Sequence, residues 1–345
     1  MAVTIKDVAK AAGVSTASIS RAFQDPPSPY LSEERRKFIR KLCDEMHYFP
    51  NIHSRRMSQK FANTIVLISR MMQENHSGGG FFQCDLNWGM TAQGIMSALC
   101  AAGKSLQIIN CDERFIKEEK YLEVIRSHTA DGILIWGALR EDEYISKMQQ
   151  ENIPFVQLET FIDGLENNCV LADEYTGFQK IVERVISAGH RNIAVIAPSL
   201  KASTGVTRFS AVMETLEKHR ITPVWVSENG SFDGDYGISC AGSILKEAPQ
   251  TTCVIAPNDA VAWNCINVFR EKNLRVPQDI SVTGADGLQI PGELQLESFY
   301  LPSWEIGNTA ASELCSLLYG TKTTEIFRVI PTIPIHGNSI AEVTK

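Results

Sequence analysis

Gly13 divides residues 4–23, TIKDVAKAAGVSTASISRAF, into two short amphipathic helices, and no other stretch constrains the chain as much. Thr4 can cap the first helix, with Asp7 three residues on in the manner of a capping box; Ile5, Val8, Ala9 and Ala12 supply its buried face. Ser15 caps the second, in which Ile19 and Phe23 turn inward and Thr16, Ala17, Ser20 and Arg21 stay outside. Two helices at this spacing form a helix-turn-helix, whose second helix can enter a DNA groove, although the same spacing also arises by chance in all-helical segments.

A third helix is expected from Ser32 to about Met46, with Phe38, Ile39, Leu42 and Met46 closing a three-helix core. Residues 1–61 carry eleven Lys or Arg against six Asp or Glu, a balance of +5, so the whole-chain charge of −7 leaves −12 on the remainder. A basic head on an acidic body can neutralise phosphates locally and discourages indiscriminate nucleic-acid binding. Arg35, Arg36, Lys37, Arg40 and Lys41 include side chains that fit a merely solvated face equally well.

From Thr64 onward, short β-rich runs alternate with helix-length segments. Strands are expected at 65–69, 105–110, 132–136, 154–158, 192–197, 223–227, 252–256 and 280–284. This is the pattern of α/β structure on parallel sheets, and eight strands over some 280 residues suit two successive sheets with a boundary near 159–162. Met1 runs directly into the first helix without an apolar signal segment, and no apolar run approaches the ~20 residues that span a bilayer, so a cytoplasmic location and no membrane partner are expected. Nine scattered cysteines without a CxxC pair read as reduced, mostly core thiols. The chain holds no GxSxG, HExxH, GxxxxGK or GxGxxG motif, and its seven histidines lack metal spacing, with His190 reading as structural. An enzyme, a metal site and a cofactor are therefore not expected.

Ligands of open α/β sheets gather beyond the carboxyl ends of strands. Polar residues stand there at five places: Asp286 after ISVTGA, Asn258 and Asp259 after CVIAP, Glu159 after FVQL, Arg208 after the IAVIAP strand, and Asp85 with Trp88 after the first strand. Asp259 fits helix capping better than ligand contact.

The segments TIKDVAKAAGVSTASISRAF, LSEERRKFIRKLCDEMHYFPN and HSRRMSQKFANTIVLI resemble the amino-terminal signature of the lactose-repressor family. The likeness continues in order through DGILIWG, AGHRNIAVIAP, VIAPNDAVAWN and LRVPQDISVTGADG. The resemblance implies a head over 1–49, a hinge helix over 50–61, an N-terminal effector subdomain over 62–160 plus about 288–322, and a C-terminal one over 161–287 plus about 323–345. The body is then periplasmic-binding-protein-like, with a cleft between two doubly wound sheets.

It further implies that Thr16 and Ala17 discriminate operators, that Arg21 contacts a base or phosphate, and that Thr4, Ser15, Ser20, Asn51, Arg55 and Arg56 support the DNA interface. Met57 would wedge into the minor groove from a hinge that orders on DNA, the alternative being a flexible tether whose Met packs on the body. Arg208, Asp286, Glu159 and Trp88 match positions that contact a small-molecule effector, and Tyr236 matches a packing aromatic; Trp88 and Tyr236 suit core packing equally well. An Arg fork opposed by carboxylates fits a sugar or sugar acid. A palindromic DNA operator requires a homodimer, and a tail coiled coil is not expected because no heptad repeat is visible.

The chain departs from the family pattern in its longer, proline-rich loop QDPPSPYL, its glycine-rich segment MMQENHSGGGFFQCD, Glu159 where Asp is usual, and Met57 where Leu is usual. Three alternatives remain: control by a protein partner, control by a non-sugar metabolite, and a sugar-binding protein without DNA function, which should lack residues 1–61. Whether ligand releases or promotes DNA binding is not written in the sequence.

Overall fold

The computed structural model describes residues 3–24, 27–49, 61–70, 86–165, 167–288, 292–320 and 325–343. The head packs α1 (Ile5–Ala12), α2 (Thr16–Ala22) and α3 (Glu33–Glu45) around Val8, Ala9, Ile19, Ala22, Ile39 and Cys43. One Asp7 carboxylate oxygen accepts both the Thr4 amide (2.9 Å) and the Thr4 hydroxyl (2.7 Å), which closes the start of α1. Gly13 ends α1 at φ 60°, a left-handed conformation that glycine adopts without Cβ strain. Phe38 departs from its expected core position: it is 47% exposed, because the α3 face that meets α1 and α2 runs through Arg36, Ile39 and Cys43.

The body begins at β1 (Thr64–Ser69), a run of mainly β-branched residues buried at every position, as a parallel strand covered on both faces requires. It continues through α4 (Leu86–Ala101), β2 (Ser105–Asn110), α5 (Glu113–Lys117), α6 (Lys120–Arg126), β3 (Gly132–Trp136), α7 (Glu143–Gln150), β4 (Phe155–Leu158) and β5 (Cys169–Ala172). The first sheet has the order β11-β5-β4-β3-β1-β2, all parallel, where β11 is Phe327–Ile330. Side chains alternate across it. Val66, Ile68, Ile133 and Ile135 meet α6 and α7, while Ile65, Leu67, Leu134 and Val156 meet α4 and α12 (Ser303–Leu318) on the opposite face.

The second sheet has the order β7-β6-β8-β9 and is also parallel, built from β6 (Ile193–Val195), β7 (Trp225–Val226), β8 (Cys253–Ile255) and β9 (Ser281–Thr283). One face carries α8 (Glu174–Ser187) and α9 (Ser203–Lys218), the other α10 (Gly234–Glu247) and α11 (Asp259–Glu271). Single bridges from Thr283 to Glu297 and from Asp286 to Tyr300 bring β10 (Ser298–Tyr300) beside it, and β10 pairs antiparallel with β12 (Ile333–Ile335). The eight expected strands are present and four more are added, β5, β10, β11 and β12.

The chain passes between the sheets three times, from β5 to α8, from β10 to α12, and from β11 to β12. A division after residue 160 therefore falls short, because β5 at 169–172 and β11 at 327–330 both hydrogen-bond into the first sheet. Their pairing fixes them there: Asn168 and Cys169 donate amides to the Ile326 carbonyl at 2.8 and 2.7 Å. The crossing by α12 is held through glycines. A Cβ on Gly94 of α4 would lie 2.0 Å from the Trp304 carbonyl oxygen, and one on Gly307 of α12 would lie 2.1 Å from that of Thr91. Only two glycines let these backbones approach so closely.

Where the body begins, the Ala62 amide donates to Asp131 Oδ1 (2.6 Å) and Lys104 Nζ donates to Asp131 Oδ2 (2.9 Å), the two side chains being 4% and 0% exposed. The Lys104 ammonium also faces the rings of Phe61 and Tyr319, at 5.6 and 5.1 Å from their centroids. Among the described residues no helix is long and apolar enough to cross a membrane.

Asp131→Ala strands the buried Lys104 and frees the Ala62 amide, so a loss of about 3–5 kcal/mol is expected in chemical unfolding of the full chain. A smaller loss than 1 kcal/mol would show that water replaces the pair. His190 joins Thr252 Oγ1 (2.9 Å) to the Ala341 carbonyl (3.0 Å), and burial holds its pKa below the ordinary 6.5. The unfolded chain then takes up a proton before the folded one, so stability falls as pH drops below 6.5. His190→Gln should flatten that acid-side slope in urea midpoints measured from about pH 7.5 to 5.5.

Candidate functional site: the head surface and the meeting of strand ends

On the head, Ser15 Oγ accepts the Ser18 amide at 3.1 Å and so caps α2. The helix then buries Ile19 and Ala22 and turns Thr16, Ala17, Ser20 and Arg21 to the exterior as one face. Arg21 lies 5.6 Å from the ring centroid of Tyr30, which is 82% exposed. Asn51, Arg55, Arg56 and Met57 lie outside the described residues.

Three of the five basic residues weighed as phosphate contacts or solvated charge have internal partners. Arg35 Nη2 donates to the Ala12 carbonyl at the end of α1 (3.4 Å), and Arg40 Nε to the Ala22 carbonyl at the end of α2 (2.9 Å). Arg36 is buried, bonded to Glu33 at 3.0 Å and to the Ser28 carbonyl at 3.4 Å. Cations at helix carboxyl ends satisfy orphan carbonyls and oppose the helix dipole. Lys37 and Lys41 remain on the outer surface.

In the body, strand ends from both sheets supply one polar cluster around Arg208, which is only 5% exposed. Its Nε donates to Glu174 Oε1 (2.8 Å), its Nη2 to Glu174 Oε1 and to Asp286 Oδ1 (3.0 Å), and its Nη1 to the Pro257 carbonyl (2.8 Å). Thr204 donates to the other Glu174 oxygen. Burial alone would lower the Arg208 pKa, but the Glu174 and Asp286 carboxylates outweigh it and hold the group above its ordinary value. Phe232 and Phe178 place ring centroids 5.3 and 5.9 Å from the guanidinium.

Asp286 sits just beyond β9 at φ 101°, and Glu159 just beyond β4 at φ 63°, left-handed values that side chains rarely adopt. Strained backbone of this kind concentrates where side chains are aimed for a purpose. Glu159 accepts the Thr91 hydroxyl at 2.7 Å and the Trp136 indole N–H at 3.0 Å. Two residues on, the Phe161 amide donates to Ser203 Oγ (2.9 Å) at the start of α9, and the Arg140 amide donates to the Lys201 carbonyl (2.8 Å). The strand ends of the two sheets thus meet, with Glu159 on one side and Arg208 on the other.

The structure brings Arg208, Asp286 and Asn258 to this meeting point, the last as a positioning residue. Asn258 caps α11 by accepting the Val261 amide (2.9 Å) and donates to the Phe232 carbonyl (2.8 Å), which sets the ring that covers Arg208. Of the two places open to Tyr236, it takes the core-packing one: it packs on the second sheet's core with its hydroxyl donated to the Asn229 carbonyl, and Phe232 lies beside Arg208. Trp88 is half-buried with its indole N–H on Ser69 Oγ at 3.2 Å, and Asp85 lies outside the described residues. Asp259 is fully buried, accepts Leu288 N and Ser298 Oγ at 2.7 and 2.9 Å, and is held well above the carboxylate range by burial and then by Asp286. Sequence reasoning missed Glu174 because it missed β5; polar residues after that strand obey the same strand-end rule.

A helix-turn-helix head joined to a two-sheet body, with a polar cluster where the sheets' strand ends converge, defines the class of bacterial regulators that couple a DNA-binding domain to an effector-binding domain. Residues 4–51 match the family described as "Bacterial regulatory proteins, lacI family", and residues 182–340 match "Periplasmic binding protein-like domain". The chain belongs to the lacI family. It is 28% identical over 326 residues to the probable HTH-type transcriptional repressor ExuR of Bacillus subtilis (strain 168), covering 93% of each chain. It is 27% identical to the HTH-type transcriptional repressor PurR of Erwinia tasmaniensis, covering 98% of this chain and 97% of that one. Both relatives are repressors rather than enzymes. Its fold matches the lac repressor dimer bound to operator and the anti-inducer ONPF with a TM-score of 0.82, at 21% identity over 99% of this chain and 100% of that one. The CelR–cellobiose complex matches at a TM-score of 0.71, with 23% identity over 98% and 99%.

Ser15→Ala removes the α2 cap, at a cost of about 1 kcal/mol. Hydrogen exchange of the α2 amides in the full chain should quicken roughly fivefold while the body is unchanged. Unchanged exchange in α2 would mean that packing on α1 and α3 alone sets the helix start.

Proposed function

We propose that this protein is a transcriptional repressor that binds a palindromic operator as a homodimer and responds to a sugar or sugar derivative held between the two sheets. The observation that carries the reading is the Arg208 cluster, a built polar site where strand ends of both sheets meet. Named neighbours of the fold are bound to cellobiose and to ribose, the latter in a LacI family regulator from Enterococcus faecium. Sugar hydroxyls both donate and accept, as a guanidinium flanked by carboxylates demands, and the Phe232 face suits the C–H surface of a pyranose or furanose ring.

On the DNA side, Thr16 offers a hydroxyl and a methyl, Ala17 a methyl for thymine, and Arg21 a fork for guanine; Thr4, Ser15 and Ser20 lie alongside for the backbone. One short helix reads too few bases, so two heads on a two-fold axis are required. Met96 of α4 and Ile108 of β2 are exposed at the edge of the first sheet, apolar surface for the second copy to cover. Asn51, Arg55, Arg56 and Met57 are assigned to the hinge between head and body, with Met57 as the minor-groove wedge. A cytoplasmic setting suits the buried thiols of Cys43, Cys253 and Cys265 and the DNA partner.

Operator sequence selected from a random duplex pool should be an inverted repeat bound by a dimer. Arg21→Ala should weaken it by about 1–3 kcal/mol in anisotropy titrations at fixed salt. Arg208→Ala should abolish the response to the sugar, alongside a loss of stability from the unpaired Glu174 and Asp286 carboxylates. A monomer on a non-repeated site, or an effector response that survives Arg208→Ala, would overturn the respective half of the reading.

A further inference from the structure

Burial does not account for where the Tyr30 ring stands. At 82% exposure it adds little to the core of the head, yet the backbone that carries it is tied down on both sides. Ser28 before it is buried, and the Ser28 carbonyl accepts the Leu31 amide (3.3 Å) and Nη2 of the buried Arg36 of α3 (3.4 Å). The Tyr30 amide donates to Ser28 Oγ at 3.4 Å, and Leu31 after it packs on the core of the head. A turn fastened to α3 thus presents an aromatic ring to solvent, and the Arg21 guanidinium of α2 lies over that ring, 5.6 Å from its centroid.

A ring and a carboxylate hold an arginine in different ways. A carboxylate occupies the N–H donors of the fork, whereas an aromatic face attracts the cation and consumes none of them. Among the described residues no carboxylate pairs with Arg21, so its donors stay available for a base edge. A long side chain also gives up rotamer freedom when it docks, and a contact that limits this freedom beforehand reduces the loss. We infer that Tyr30 is a positioning residue for DNA reading: its ring holds the Arg21 fork ready and so sharpens discrimination at the base pair that Arg21 meets. The inference rests on the reading of the α2 face as the DNA-reading surface and deepens it. It gives the proline-rich loop, through the turn at Ser28, a part in specificity.

The test is anisotropy titration of the full chain, at fixed salt, on the selected operator and on duplexes substituted at each base pair of the half-site. Arg21→Ala first identifies the base pair concerned, as the one where discrimination relaxes. Tyr30→Ala should then lower the preference for that base pair by about two- to fivefold, the scale of one exposed cation–π contact. Preferences at the other base pairs and the thermal unfolding midpoint should be unchanged. Tyr30→Phe, which keeps the ring face, should retain the preference, and Tyr30→Leu, which keeps bulk without the face, should lose it as Tyr30→Ala does. In an Arg21→Ala background, Tyr30→Ala should have no further effect. A preference unmoved by both Tyr30→Ala and Tyr30→Leu overturns the inference. So does a loss that adds in full to that of Arg21→Ala, which would mean that the ring touches DNA by itself, or an equal loss in Tyr30→Phe, which would assign the effect to the hydroxyl. In each of these cases Arg21 remains a DNA contact. If Arg21→Ala itself leaves affinity and discrimination unchanged, the reading of the α2 face fails, and this inference with it.

Discussion

A guanidinium at 5% exposure is tolerable only if its charge and its donors are matched, and Arg208 is matched by groups far apart in the chain: Glu174 after β5, the Pro257 carbonyl after β8 and Asp286 after β9. The need to satisfy one buried ion therefore draws three strand ends to one point. The costs of keeping them there are visible nearby. Asp286 takes φ 101°, and Asp259 is pushed towards its protonated form by burial and by the Asp286 charge. A core made only of apolar contacts would have no reason to gather such groups at one end of the sheets.

The two halves of the body are bound to each other in unlike ways. The first sheet carries α4 and α12 side by side on one face, their backbones touching through Gly94 and Gly307, and it fixes the exit to the head through Asp131, Lys104 and Phe61. Tyr319, at the end of α12, closes over the same Phe61 at 5.8 Å, edge to face. The second sheet reaches this unit by three chain crossings and by polar contacts at the strand ends. Tight packing on one side and polar ties on the other make the junction the natural place for relative movement.

Most of the architecture could be read from the sequence because most recognised strands are apolar runs rich in β-branched residues and buried on both faces, as TIVLIS and GILIW are, while the exposed edge strand SLQIIN was legible from its apolar run alone. The four strands that escaped notice lack this mark. CVLA is short and half covered at its end, FRVI alternates between exposed and partly covered positions, and SFY and IPI are three-residue edges. The cost was Glu174, which accepts two of the Arg208 hydrogen bonds, since a residue can be placed at a strand end only when the strand is seen. Tyr236 and Phe38 show a different limit. Helical spacing says that a side chain lies on a face, but whether Tyr236 or Phe232 covers Arg208 depends on how Asn258 holds the loop before α10. In the head, the basic residues of α3 could not be sorted by composition, because capping the carbonyls of Ala12 and Ala22 is a tertiary role that a cation on a helix does not announce.

The placement of the two polar centres gives a physical route between them on the proposed function. The Arg208 cluster lies between halves joined by chain crossings and polar contacts, whereas the Asp131–Lys104 pair lies within the first half, from which the linker leaves. A ligand that favours one angle between the sheets changes nothing inside the first sheet, so Phe61 and Ala62 move with it as a rigid part. Relative rotation of the halves is then delivered to the linker without loss in local flexing, and in a two-fold dimer it is doubled by symmetry. The size of the effect is bounded by the ligand's differential affinity for the two angles, which falls on the few contacts made at the junction: Glu174, Asp286 and Glu159 with their neighbours.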